Sequence, residues 1–126
     1  MQCTGSEFEL AWRGFKGDMH LQAAYLAQIH PPTIPAVFKL SLPPATLASV
    51  LKALLECLLP SEPLQGLAHL EALSSVPRFG MTIMCLPSKE KKLLGAVWPS
   101  SGRAGEIGLD DLQVQQLARL RTVFCL

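Results

Sequence analysis

The chain is built from strong helix formers but cut at short intervals by proline and glycine, and this combination restricts it to short helices packed in series. Leucine occurs 23 times and alanine 13 times, against 10 valines and isoleucines together. Leu and Ala enter a helix at little cost, whereas β-branched residues favour strands. Ten prolines and nine glycines interrupt every helical pattern before it runs far, because proline removes a backbone donor and glycine carries a large entropic cost. The expected fold is a single all-α domain over residues 1–126, a compact bundle of six to eight short helices with no sheet.

Ser6 and Glu9 form a capping-box pattern, followed by Phe8, Ala11, Trp12 and Phe15 on one helical stripe. Gly17 stops that segment, and Asp18 can cap a second helix carrying Leu21, Tyr25 and Ile29 up to His30-Pro31-Pro32. A short helix is expected over 34–38. Pro43-Pro44 then opens the clearest helix, with Leu47, Val50, Leu51, Leu54, Leu55 and Leu58 at helical spacing. A fifth carries Leu64, Leu67, Leu70 and Leu73; a sixth runs from Arg78 to Leu86 with Pro77 suited to its first turn. A seventh follows Pro87-Ser88 and presents Leu94, Val97 and Trp98. Residues 99–108, with three glycines, read as a linker. A last helix over 109–124 has Asp110 and Asp111 at its start, Arg119 and Arg121 near its end, and Leu112, Leu117, Leu120 and Phe124 on its apolar side.

Composition narrows the function. Hydrophobic residues are 49% of the chain and charged residues 17%, below the ~25% usual for soluble domains. A chain of this length buries roughly two-thirds of its surface without a metal or disulfide staple; so apolar a chain either wraps its core very thoroughly or leaves apolar surface for a partner, and the second option leans toward binding. A net charge of +1 excludes the basic stripe of a nucleic-acid binder; Lys89-Glu90-Lys91-Lys92 reads as a solvated helix face. The apolar run over 47–59 is too short to span a bilayer and is broken by Lys52 and Glu56. Cys3, Cys57, Cys85 and Cys125 are scattered, and no secretory signal opens the chain, so reduced thiols in the cytoplasm, with the nucleus as a second compartment, are expected.

Catalytic patterns are missing. His20, His30 and His69 fall in different segments with no HExxH or clustered Cys/His set. A Cys57–His69 nucleophile pair is the best catalytic candidate, but a Leu-rich helix would raise the thiol pKa. Gly102, Gly105 and Gly108 do not have GxGxxG spacing and follow no strand. The expectation is a binding domain, not an enzyme, with no catalytic residue, cofactor or metal.

One segment has two apolar sides. Phe79, Ile83 and Leu86 form one stripe, and Arg78, Met81 and Cys85 a second, displaced by roughly a third of a turn. Either both stripes are core around a central helix, or Phe79, Ile83 and Leu86 face the core while Arg78, Met81 and Cys85 are a partner-binding face, for which Arg and Met are suited. Periodicity leaves both open.

Read together, Phe8 with Trp12, Tyr25-Leu26 before His30-Pro31-Pro32, Ile34-Pro35 leading to Phe38, the Leu47–Leu58 helix, Leu70-Glu71-Ala72-Leu73, Val76-Pro77-Arg78-Phe79 with Met81 and Met84, and Lys89-Glu90-Lys91-Lys92-Leu93 resemble the C-terminal domain family of RNA polymerase II-associated protein 3. Related domains occur in sperm-associated antigen 1, whose end is similar to Leu109-Asp110-Asp111-Leu112-Gln113, and in a ciliary coiled-coil protein. The family-like core covers residues 6–98. Two positions depart from the family: Gly80 stands where an acid is usual, and Cys85 where an aromatic is usual. The resemblance implies a helical bundle that docks on RuvB-like AAA+ ATPases as an adaptor in a heat-shock co-chaperone assembly. Such adaptors support assembly of RNA polymerases, small nucleolar ribonucleoproteins and axonemal dynein arms. In the family, TPR repeats that bind the chaperone often precede this domain; none are present here, so the chain is expected to be a C-terminal piece of a longer protein. The rival expectations are a helical carrier of a lipid or other small apolar ligand, and a thiol enzyme using Cys57 or Cys85.

Overall fold

The computed structural model describes residues 5–15, 17–39 and 42–126, and of residues 5, 6 and 101 the backbone alone. Every regular element among them is helical. The helices are α1 (Gly5–Gly14), α2 (Met19–Gln28), a 3₁₀ turn (Pro31–Thr33) running into α3 (Ile34–Val37), α4 (Pro44–Ser61), α5 (Pro63–Ser74), α6 (Phe79–Met84), α7 (Ser88–Val97), α8 (Ser101–Glu106) and α9 (Asp111–Val123). The all-α class expected from the Leu/Ala excess holds. Helix α8 lies in the segment read as a linker: the Ser100 hydroxyl accepts from the Arg103 N–H at 3.4 Å, and Ala104 is buried. Packing of Ala104 and Leu109 onto the bundle overrides the low helix propensity of Gly102 and Gly105. Gly108, with φ +105°, makes the turn that only glycine takes freely.

The cap expected at Asp18 is present, and Asp110, expected at the start of the last helix for its charge, also caps it. Asp18 accepts from the Leu21 N–H at 3.1 Å, and Asp110 and Gln113 satisfy each other's amides at 2.8 and 2.9 Å. The expected Ser6–Glu9 box depends on a side chain outside the described residues.

The core is organised around α4. Leu47, Val50, Leu51, Leu54, Leu55, Leu58 and Leu59 are all buried, while Glu56 is exposed. Over 54–58 the helix widens into a π-turn, so that the Leu59 N–H reaches back to Leu54 O. An α-helical register would set Pro60 against the Glu56 carbonyl; the wider turn relieves that contact and keeps Leu54, Leu55, Leu58 and Leu59 on the inside. The whole helix, at 18 residues, is longer than the apolar run alone and meets a membrane-span criterion of length and composition. Its burial against α2, α5 and α7 is what the central helix of a bundle requires. Gly66 lets α5 cross closely: a Cβ there would stand 2.8 Å from Leu59 Cα.

Three expected stripes are rotated or shortened. On α2 the buried residues are Gln22, Ala23 and Leu26, while Leu21 is half exposed, because the helix packs its Ala23–Leu26 side on α4. Leu64 and Leu112, at the outer ends of α5 and α9, are also exposed. Each lies in the first turn of its helix, where the neighbouring helix does not reach.

Two aromatic clusters brace the bundle. Phe8 stacks on Trp12 at 5.1 Å and meets Phe38 edge-on at 4.8 Å, and the Trp12 Nε1–H donates to Ser49 Oγ at 3.1 Å. At the other side Phe124, fully buried, meets Phe79 edge-on at 4.9 Å and Trp98 at 5.6 Å.

Candidate docking surface

Helix α6 decides between the two readings of its stripes. Phe79, Ile83 and Leu86 are buried, whereas Arg78, Met81 and Cys85 are exposed, Met81 to 69%. The second stripe therefore lies on the surface.

Arg78 is placed by the backbone, not by a helical turn. It was expected inside α6 with Pro77 in the first turn; instead Arg78 is the N-cap, in the left-handed region at φ 63°, and Pro77 stands outside the helix. A side chain there costs roughly 1–2 kcal/mol, so the surroundings must hold it. They do: Val76 and Phe79 are buried on either side, Pro77 limits the chain before it, and the Phe79 N–H donates to Val76 O at 3.1 Å. The N–H groups of Met81 and Thr82 both donate to Arg78 O at 3.1 Å.

Arg78, Met81 and Cys85 line one hollow of about 320 Å³. The opposite wall is Phe38, Lys39, Leu42, Pro43 and Pro44, residues that periodicity could not assign because they lie between helices. Their position follows from Phe8, which fixes Phe38. A second hollow of about 510 Å³ continues past Cys85, between Pro44, Ala48, Ser49 and Lys52 of α4 and Leu86, Pro87 and Glu90. Pro44 and Cys85 border both hollows, so the two are neighbours on one face, and together they form the groove of this surface, with Cys85 between them.

Neither departure from the family pattern is forced by lack of space. A Cβ on Gly80 would meet nothing within 4 Å, and Cys85 is at the surface.

The candidate nucleophile pair is poorly suited to catalysis. Burial, with smaller contributions from Glu56 and Asp18, holds the Cys57 thiol above its ordinary pKa, which disfavours thiolate. His69 is fully buried and its ring nitrogens face two backbone carbonyls, Gln65 O at 2.8 Å and Ile29 O at 2.9 Å. The ring ties α5 to the end of α2 and has no face left for Cys57. Among the described residues no group of three or more His, Cys, Asp or Glu side chains is placed to hold a metal.

A helical bundle with an exposed apolar-and-cationic groove belongs to the class of protein-interaction domains. Comparison with known proteins narrows the class. The chain belongs to the family described as the potential Monad-binding region of RPAP3 (RPAP3_C), whose model matches residues 2–91. It is similar to RNA polymerase II-associated protein 3 of Gallus gallus, 30% identical over 119 residues, covering 94% of this chain and 17% of that protein. The Homo sapiens protein of the same name is 29% identical over 114 residues, covering 90% and 17%. The chain thus spans about one-sixth of the length of these relatives. The solved C-terminal domain of human RPAP3, an NMR structure, superposes with a TM-score of 0.72 at 26% identity, covering 96% of this chain and 88% of that one.

Proposed function

We propose that this chain is an adaptor domain without catalytic activity that docks on a RuvB-like AAA+ ATPase through the face formed by Arg78, Met81 and Cys85. The observation that carries this reading is the split of α6: one stripe closes the core, and the other is exposed and lines a surface hollow. In that role the domain supports assembly of macromolecular complexes within a heat-shock co-chaperone system, the chaperone being engaged by other regions of a longer protein in the cytoplasm and nucleus. A second reading, favoured by the family's own description, takes the partner to be Monad on the same face. The carrier reading gains no support from the two hollows, which are open to solvent and edged by Lys39, Arg78, Lys52 and Glu90, whereas a carrier encloses its ligand.

The test compares binding with folding. Purified RuvB-like ATPase and purified Monad are each titrated against the chain and its variants. Met81→Glu places a charge in a desolvated apolar contact, and Arg78→Glu reverses the local charge. Each should weaken the true partner by at least about 2 kcal/mol, the scale of an interface hot spot, with the melting temperature nearly unchanged. Phe79→Glu should unfold the domain. If Met81→Glu folds and binds both proteins normally, this face is not the docking site.

A further inference from the structure

The charges around the groove are unevenly placed, and that asymmetry constrains what docks there. The end nearest α3 carries two cations, Lys39 and Arg78, and among the described residues no acid lines that hollow. Among the described residues neither cation is in an ion pair, and the Arg119–Glu71 salt bridge at 3.7 Å lies elsewhere. The far end carries Lys52 and Glu90, whose charges offset each other. Between the two ends the walls are apolar: Met81 and Cys85 on one side and Pro44, which presents no backbone N–H, on the other. Two like charges held at one end of an apolar trough raise the local positive potential, and an incoming carboxylate lowers it. Arg78 is also fixed from behind, since its left-handed backbone is clamped between buried Val76 and Phe79. A guanidinium on so rigid a base loses less freedom on binding than one on a mobile loop.

We infer that the groove is read by a partner segment carrying an acidic side chain, seated between Lys39 and Arg78, next to an apolar side chain that lies over Met81 and Cys85. The inference rests on the docking reading above and adds the chemistry and orientation of the docked segment: its acid points toward Lys39 and its apolar residues run toward Pro87. Cys85 borders both hollows, so it lies where the docked segment crosses from one to the other.

A phage-displayed library of random dodecamer peptides, selected on the folded chain, tests this without assuming which protein is the partner. The selected peptides should be enriched in Asp or Glu close to Leu, Met or an aromatic. Lys39→Glu should lower the affinity of the selected peptides about tenfold at low salt, with the difference shrinking as salt rises. Lys52→Glu, at the balanced end, should change it little. Cys85→Glu, which puts a charge into the apolar stretch, should weaken peptide binding at least tenfold while the helical circular dichroism and melting temperature stay near those of the parent chain. Selected peptides lacking an acid, or peptides whose affinity is unmoved by Lys39→Glu, overturn the inference. Peptides that behave as stated while the RuvB-like ATPase fails to bind leave it standing and remove only the choice of partner.

Discussion

Replacing Phe124 by alanine should destabilise the whole bundle and loosen the docking helix, because Phe124 packs on Phe79 at the start of that helix. The ring is fully buried, 4.9 Å from Phe79 and 5.6 Å from Trp98. A buried phenylalanine removes about 150–250 Å² from water, which at about 25 cal/mol per Å² sets an upper bound near 4–6 kcal/mol. Truncations of this kind in other cores cost about 3–5 kcal/mol, and each aromatic pair adds about 0.5–1.5 kcal/mol beyond area. About 4 kcal/mol is therefore expected, a large share of the ~5–15 kcal/mol that holds such a domain together. The assay is urea unfolding followed by circular dichroism, which yields both stability and the surface exposed on unfolding. A double-mutant cycle of Phe124→Ala with Phe79→Ala should show a coupling of about 1 kcal/mol, since the rings are in contact. Phe79 opens α6 directly after Arg78, so the same substitution should also weaken partner binding. A loss below about 1 kcal/mol would show that α9 is an appendage and that α6 is held by the family-matched region alone.

Gly80→Ala should stabilise the domain by about 0.5–1 kcal/mol, because the site is helical, exposed and open, while Gly66→Ala should destabilise it through the clash with Leu59; thermal melts of the pair should move in opposite directions. His69→Leu should cost about 1–3 kcal/mol by removing the buried ring N–H that faces the Gln65 and Ile29 carbonyls, read by chemical denaturation. Alkylation mapped by mass spectrometry should modify exposed Cys85 and Cys125 well before Cys57, whose thiol burial holds in the protonated form. Because that pKa is raised on folding, its contribution to stability is present at neutral pH and declines as pH rises through the ordinary thiol range; faster labelling of Cys57 than of Cys85 would refute this ordering.

The sequence alone determined the all-helical class, because Leu and Ala dominate and proline and glycine cut the chain into lengths that only short helices use. It determined the helix start at Asp18, since a cap is a local hydrogen bond between residues three apart, and the start at Asp110, whose charge suits the helix dipole. It also placed Met81 and Cys85 on one stripe, because helical spacing is local too, whereas Arg78 was expected there as a helical residue and reaches the face from a left-handed cap. Which stripe of α6 faces the core was decided by tertiary structure: both are apolar enough, and only the arrival of Phe124 and α4 against Phe79 and Ile83 breaks the tie. The same holds for α8, where two glycines argue for a loop and the burial of Ala104 outweighs them. The left-handed turn at Arg78 was hidden as well, since an arginine advertises no positive φ and the strain is held by Val76 and Phe79 packing beneath it. The opposite wall of the groove was least legible. Lys39 and Pro43 carry no period, and they meet Arg78 only because Phe8, some thirty residues earlier in the chain, pins Phe38 in place. Local hydrogen bonding and periodicity can be read from neighbours in sequence, but a surface shared by three distant segments exists only once the core has brought them together.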